Sequence, residues 1–384
     1  MFKVNLKYLI LIILASTLAY LNGGPLFYSI LYTLLLILLL SILHVGVQWY
    51  TTKLKLNLEK NSIRTGEELY IYIILVTLRF LPAPYIIVKN SALEKLKKNY
   101  NGDIVTLNFF KEKIIPNDIV FNVRGVYNFS ETKIVFTDLF CLIKVEKKYT
   151  CDDLLKVYPK IFALNEKSFS GKNMLQNTLV NMSLSEDSND IRDLRKYRVG
   201  DSFKKIHWKL SAKHSEFYVK NFSAVASKNA CIFLNMNEES ILQQDQDLIE
   251  EKVIDFTVSL IRFLQNNDYK IKLYINNKIE GHFYIGTNED FKLVLEYFVE
   301  NKSKGKGSFS EFLKLKTKLL EENAWVAIIA QNFDNKTNAE IVNLKNMGIK
   351  ISSFYSGVAN NNTTSESGAA EYRKIEDILL NEDV

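Results

Sequence analysis

The chain has 384 residues, a formal net charge of +6, 47% hydrophobic residues and 12% aromatics. At roughly 100–200 residues per domain this allows about two folded domains and something more. A charged fraction of 24% excludes disorder, collagen-like repeats and low complexity for the bulk of the chain. Three cysteines (Cys141, Cys151 and Cys231) without a C-x-x-C pair exclude a disulfide scaffold and a Cys-rich zinc module.

The apolar residues are concentrated at the start. Tyr8 to Thr52 is a run of forty-five residues without Asp, Glu, Lys or Arg. A bilayer core takes about 20 apolar residues per helix, so the run suffices for two passes if it breaks once. Asn22-Gly23-Gly24-Pro25 is such a break. The pattern predicts helices over Val4–Leu21 and Phe27–Tyr50, with Trp49 and Tyr50 at an interfacial aromatic belt. Lys3 and Lys7 precede the pair, Lys53 and Lys55 follow it, and the turn carries no charge. The positive-inside rule therefore places both ends and the bulk of the chain in the cytoplasm, as a two-helix protein of the cell membrane. A signal peptide ending near Gly24 is the competing reading, and the second apolar stretch that begins at once favours the hairpin.

Short β-rich runs follow. Leu54, Leu56 and Leu58 alternate with polar residues, and further runs occupy Glu68–Leu78, Tyr85–Lys89, Asp103–Phe110, Ile119–Arg124, Tyr127–Phe136 and Phe140–Lys148. Turn residues separate them, including Thr65-Gly66, Asn101-Gly102 and Pro116-Asn117-Asp118. Seven short strands in about a hundred residues predict an antiparallel β-sandwich.

From Asn229 the rhythm changes to alternating strands and helices. Strands are predicted at Ala230–Leu234, Tyr269–Ile275, Ala324–Ala330 and Ile349–Tyr355. Helices are predicted at Asp245–Asn266, Glu289–Asn301 and Asn338–Met347, the last ending at Gly348. This alternation predicts a mostly parallel sheet with helices on both faces. Asn360–Gly368 is polar, and Glu371–Leu380 has the pattern of a terminal helix.

Between these regions lies a basic block. Arg192 to Lys220 holds nine basic residues and three acids, so the remainder of the chain is balanced at forty against forty and the whole net charge resides here. Such a surface suits an acidic partner or phosphates. Asp201 is predicted to cap a helix carrying Phe203, Ile206 and Leu210 on one stripe, and Glu216–Phe222 alternates as a strand. A solvated face of a packed subdomain is the plainer alternative.

The strings Arg192-Asp193-Leu194-Arg195-Lys196-Tyr197-Arg198-Val199-Gly200-Asp201 and Ile206-His207-Trp208-Lys209-Leu210-Ser211-Ala212 resemble the signature of domain-of-unknown-function family 58. Arg124-Gly125-Val126-Tyr127, Thr137-Asp138-Leu139-Phe140 and Val157-Tyr158-Pro159 resemble its other landmarks, with Leu139 in place of a proline and Cys141 in place of a glycine. The resemblance implies a membrane anchor, a von Willebrand factor A-like domain after the signature, and association with MoxR-type AAA+ ATPases. The resulting expectation is an α+β multidomain chain. A transmembrane helix hairpin (1–50) leads to a β-sandwich (51–150), a linker with the basic block (151–227), an α/β von Willebrand A-like domain (228–357) and a polar tail (358–384).

The expected function is that of a membrane-anchored adaptor with no enzymatic activity. It would dock a MoxR-type AAA+ ATPase, or its clients and other envelope proteins, through Arg192, Arg195, Tyr197, Arg198, Gly200, Asp201, Lys205, His207, Trp208 and Ser211. Two alternatives stand beside it: a hydrolase built on Asp201, His207 and Ser211, and a binder of anionic lipid or nucleic acid through the basic patch. His207 and Ser211 would share a helix face, but there is no nucleophile elbow, and Ser170-Gly171-Lys172-Asn173 lacks the leading glycine of a P-loop. A domains often hold Mg²⁺ through D-x-S-x-S. Here Asn235 and Asn237 replace the leading carboxylate and a serine, leaving Asp334 as a late ligand, and a neutral anchor weakens Mg²⁺. No cofactor is expected.

Overall fold

A computed structural model describes residues 2–77, 83–107, 112–151, 153–164, 191–198, 201, 206–214, 216–222, 229–238, 246–320, 324–357 and 372–379. Gly200, Phe203, Lys205, the Ser170–Asn173 stretch and the polar segment Asn360–Gly368 lie outside them. The chain divides into two compact units, Met1–Tyr158 and Pro159–Val384.

The first unit begins with a strand, not a helix. Strand β1 (Phe2–Val4) pairs antiparallel with β10 (Ile143–Thr150), and only then does α1 (Leu6–Asn22) start, capped by the Asn5 side chain, which accepts from Lys7 N at 3.1 Å. Gly23 and Gly24, with φ of 63° and 92°, make the turn that side-chain-bearing residues resist. Helix α2 (Pro25–Thr51) then runs back along α1, and the Tyr8 hydroxyl donates to the Leu34 carbonyl at 2.8 Å. Both helices carry exposed apolar side chains, among them Leu6, Ile10, Ile13, Leu36 and Leu40. Among the described residues, helix α2 alone has the length and apolar content to cross a bilayer unaided; α1 is a shorter apolar helix of 17 residues. The last turns of α2 behave differently. Ser41, His44, Val45 and Gln48 are buried, and Gln48 donates to the Thr137 carbonyl at 3.4 Å.

The rest of the unit is β structure. A five-stranded antiparallel sheet has the order β1, β10, β9 (Glu131–Thr137), β5 (Ala83–Asn90), β6 (Asp103–Leu107). A second antiparallel sheet sets β4 (Glu68–Thr77) between β2 (Thr52–Leu58) and β7 (Glu112–Val120). A third has β11 (Leu154–Tyr158) between β3 (Ser62–Arg64), parallel, and β8 (Gly125–Asn128), antiparallel. One apolar core joins all three through residues such as Ile71, Ile73, Ile86, Phe136 and Leu155. The period-two pattern of Leu54, Leu56 and Leu58 follows from their places on β2, with Leu54 and Leu58 inward.

Several boundaries differ from the sequence reading. Pro116-Asn117-Asp118, read as a turn, lies inside β7, where Pro116 sits opposite Tyr72. Proline is tolerated there because β7 is an edge strand. The run Tyr127–Phe136 is two strands, broken at Phe129-Ser130. A short helix, α3 (Ser91–Leu96), capped by Asn90, was not foreseen. In the turn after β9, Cys141 adopts φ 56°, and Asp138 accepts from Phe140 N at 2.9 Å and Ile143 N at 2.7 Å.

The second unit carries a six-stranded sheet of order β16, β15, β14, β17, β18, β19. Its strands are β14 (Asn229–Asn235), β15 (Lys270–Asn276), β16 (Gly281–Ile285), β17 (Trp325–Ala330), β18 (Lys350–Tyr355) and β19 (Tyr372–Lys374). All pairings are parallel except that of β16, which returns as a hairpin from β15. Helices α5 (Gln246–Asn266), α6 (Asn288–Glu300) and α9 (Ile375–Leu379) contribute to one core, with Ala230, Ile232 and Leu234 of β14. Helices α7 (Phe309–Lys316) and α8 (Asn335–Asn346) contribute to the other, with Cys231 and Phe233. Burial on both faces is why these strands read as unbroken apolar runs. Helix α7 and strands β16 and β19 were not foreseen, and β19 takes the start of the expected terminal helix. After Pro159 the chain lies along α5: Lys160 N donates to Asp255 at 2.8 Å and Phe162 N to the Ser259 hydroxyl at 2.9 Å.

Candidate functional site

The basic block is built on a two-stranded antiparallel ribbon, β12 (Ile191–Lys196) with β13 (Tyr218–Phe222), and the helix α4 (Trp208–His214) that precedes β13. Arg192 and Arg195 lie on β12. Arg195 forms a bidentate pair with Asp201, at 2.8 Å to Oδ2 and 2.7 Å to Oδ1. Asp201 Oδ2 also accepts from the Arg198 N–H at 2.8 Å, and Asp201 N donates to the Arg198 carbonyl. These bonds hold the Asp201 carboxyl below the usual carboxylate range, Arg195 foremost, and raise Arg195 in turn. Lys196 pairs with Glu216 at 2.5 Å, which raises its pKa. Two of the nine basic charges, and two of the three acids, are thus spent on each other.

Asp201 thus clasps Arg195 and the Arg198 amide, and residues 202–205 that follow it lie outside the described residues. Ile206, expected on a helical stripe, is extended and bridges to Val219. The cap is His207. Its Nδ1 accepts from Leu210 N at 3.1 Å while its carbonyl accepts from Ser211 N, so α4 starts at Trp208. Ser211 is buried and its hydroxyl accepts from Tyr218 N at 2.9 Å, fixing the helix to β13. Asp201, His207 and Ser211 each serve a backbone amide, and His214 packs edge-on to Tyr218. The structure places these three side chains in a frame and does not bring them together as a triad.

What the frame presents outward is aromatic. Trp208 is 61% exposed and Phe217 54%, and their rings meet edge-to-face with centroids 6.2 Å apart. Tyr197 meets Phe217 from the other side at 6.3 Å. Arg198, Lys209 and Lys213 are exposed on the same small module. Phe217 was not singled out in the sequence, where it reads as the residue before a strand. Only its exposure marks it.

The candidate metal residues lie at the carboxyl edge of the six-stranded sheet. The Asn276 amide N–H donates towards Asn235 Oδ1 at 3.4 Å and Asn237 Oδ1 at 3.3 Å. Asn237 donates to the Gly307 carbonyl at 2.7 Å, and Asn277 Oδ1 accepts from Lys278 N and Lys304 N. Asp334 caps α8 through Thr337 N at 3.0 Å. The Asn276 amide donor thus faces both oxygens, and among the described residues no group of three His, Cys, Asp or Glu side chains could hold a metal. The donor set does not fit Mg²⁺. At the opposite edge of the sheet, Cys231, Lys270, Lys272, Tyr284 and Asp290 line an open cavity of about 520 Å³ that includes none of the candidate binding or metal residues read from the sequence.

Residues 193–338 match the family described as "Protein of unknown function DUF58". The "Uncharacterized protein YeaD" of Bacillus subtilis (strain 168) is 25% identical over 223 residues, 55% of this chain and 52% of the relative, so the chain spans about half the length of that curated relative. Among solved structures, manganese-loaded Plasmodium vivax TRAP protein is similar at 11% identity and TM-score 0.29, over 40% of this chain and 72% of that one. The CARDB domain of a Pyrococcus furiosus protein, solved with di-metal ions, is similar at 11% identity and TM-score 0.19, over 28% and 90%.

Proposed function

We propose that this chain is a membrane-anchored adaptor that docks a cytoplasmic AAA+ ATPase of MoxR type, through the aromatic face of the basic module and an A-like domain used without a metal. The observation that carries the reading is the exposed Trp208–Phe217 pair held on a frame in which Arg195, Asp201, His207 and Ser211 are engaged with one another or with backbone amides. Large aromatics flanked by Arg and Lys are the composition of interaction hot spots. The partner's class comes from the family resemblance. With Arg195 and Lys196 neutralised, Arg198, Lys209 and Lys213 remain to meet an acidic rim, and the Asn235–Asn276–Asn237 network leaves no requirement for a cation.

The anchor is a two-pass hairpin. Strand β1 enters α1 from β10, and α2 returns to the same strand, where Lys147 donates to the Trp49 carbonyl at 2.8 Å and Tyr149 to the Thr52 carbonyl at 2.6 Å. Both ends of the pair therefore leave from one side. At 1.5 Å per residue α1 is about 26 Å long, close to the roughly 30 Å hydrocarbon core. Lys3, Lys7, Lys53 and Lys55 set that side as cytoplasmic. The β-unit, with two antiparallel sheets on one core, is read as a sandwich seated on the anchor.

The test is affinity purification of the detergent-solubilised chain with cross-linking, comparing wild type with Trp208→Ala/Phe217→Ala. Recovery of a AAA+ ATPase cross-linked to residues 191–222, reduced at least tenfold in the variant, is the expected result. Equal recovery from a folded variant would refute the assignment of this face. Charge reversal at Arg195 is the wrong probe, because it opens the Asp201 clasp.

A further inference from the structure

The outer face of the five-stranded sheet changes character along its length. Register puts Lys3, Lys144, Thr137 and Tyr85 opposite one another in a single row across β1, β10, β9 and β5, with Ile87 and Ile104 paired in a neighbouring row. Far from the helices, the same face carries Lys89, Lys133 and Lys148, as a solvated face should. Towards the root of the helices its β5–β6 side is apolar, with Ile104 73% exposed and Tyr85 51%, while its β10 side carries Lys144 and, in the row of Ile104, Ile87 and Val135, Glu146. Tyr85, Ile87 and Ile104, with Val4 and Leu142, line a groove of about 410 Å³ whose rim carries Lys3 and Lys144. Among the described residues, neither lysine has a carboxylate within ion-pair distance. The adjoining turn exposes Leu139 and Phe140 beside Cys141.

The groove's position gives it an occupant. The row ends at Lys3 on the edge strand, two residues before Asn5, where α1 begins and Asn5 N donates to the Leu142 carbonyl at 2.8 Å. Given the membrane anchor proposed above, on which this inference rests, the groove lies at headgroup depth. An apolar floor with two unpaired lysines at that depth matches the glycerol region and phosphate of a lipid, and Leu139 and Phe140 match shallow interfacial insertion. We propose that this groove is a binding site for an anionic phospholipid, with Lys3 and Lys144 on the headgroup phosphate and Tyr85, Ile87 and Ile104 against its glycerol and upper acyl chain.

The probes are phosphatidylglycerol and phosphatidylcholine, titrated separately onto the full chain in mild detergent, with bound lipid counted by native mass spectrometry. Wild type is expected to retain one phosphatidylglycerol on the order of tenfold more tightly than phosphatidylcholine. Lys3→Glu/Lys144→Glu is expected to abolish that preference, as the electrostatic worth of two lysines beside an anionic headgroup requires. Ile104→Glu is expected to weaken both lipids, and Lys89→Glu/Lys133→Glu, on the distal part of the same face, to change neither. Equal retention of the two lipids by wild type, or an unchanged preference in the Lys3/Lys144 variant, would overturn the site. The anchor is judged separately by reconstitution into liposomes of phosphatidylcholine alone: a chain that inserts there yet shows no preference has lost only this inference, whereas one that fails to insert has lost both.

Discussion

Gly305 offers a direct test of the amide network at the carboxyl edge of the second unit. It bridges to Asn237, donates to the Met236 carbonyl at 3.0 Å and accepts from Glu238 N at 2.8 Å. A Cβ added there would lie 2.4 Å from Asn237 Oδ1, 3.0 Å from Asn277 Cα and 3.1 Å from the Met236 carbonyl oxygen. The Asn237 side chain can swing away, but only by giving up its bonds to Gly307 and Asn276; the two backbone atoms cannot yield so cheaply. Two hydrogen bonds at about 1 kcal/mol each, with some backbone strain, put the cost of Gly305→Ala at about 2–3 kcal/mol. For a unit of this size that is a fall in Tm of roughly 4–10 °C. Scanning fluorimetry of the full chain would measure it, with hydrogen exchange at Glu238 and Gly305 reporting local opening. Gly286→Ala is the control, because an added Cβ there meets nothing within 4 Å. Since the network supplies its own donor, millimolar Mg²⁺ should leave the wild-type Tm unchanged. A Gly305→Ala protein with wild-type Tm and exchange, or a marked rise in Tm with Mg²⁺, would refute the account of this edge.

Two further outcomes follow from the same reasoning. Cys141 holds a left-handed φ of 56° where glycine is at ease, so Cys141→Gly should stabilise the first unit by roughly 0.5–1 kcal/mol and Cys141→Val should destabilise it, read by chemical denaturation. His282, stacked on Tyr274 at 4.5 Å, is held below the ordinary imidazole pKa by burial first and then by Lys316 and Lys272. The unfolded chain therefore takes up its proton first, and stability should fall as pH drops through about 6.5 towards the folded value. His282→Phe should remove that slope, and an unchanged slope would contradict the assignment.

Where each side chain's fate was decided by its neighbours in sequence, it could be read in advance. The period of Leu54, Leu56 and Leu58 and the double-sided run of β14 express which faces are covered. The Asn22–Pro25 turn and the cap at Gly348 express local backbone demands. The departures come from pairings between distant segments. Nothing near Phe2–Val4 announces a strand, because its partner is on β10. Pro116 reads as a turn until β7 is known to be an edge. Ile206 beside a helical pattern reads as part of a helix stripe, and only its bridge to Val219 shows it extended, while Arg195 returns across the loop to take the Asp201 carboxylate. Helix α7 could have been found: Ser308 and Glu311 stand at capping-box spacing before Phe309, Phe312 and Leu313, and Ser308 does cap Glu311 N. The aromatic face of the signature was half visible, since Trp208 is in the recognisable string and Phe217 is not.

The pairing of Phe2–Val4 with Ile143–Val145 also imposes an order of events on synthesis. The edge strand waits for a partner made roughly 140 residues later, and contacts of such sequence separation form last and slowly. By then both apolar helices have left the ribosome, so they must be in their final environment before the sheet can close over their roots. The first strand then acts as a latch. On the membrane hairpin proposed above, it completes the β-unit only when α1 and α2 have returned the chain to the side from which it set out, and a half-inserted hairpin leaves an open sheet edge.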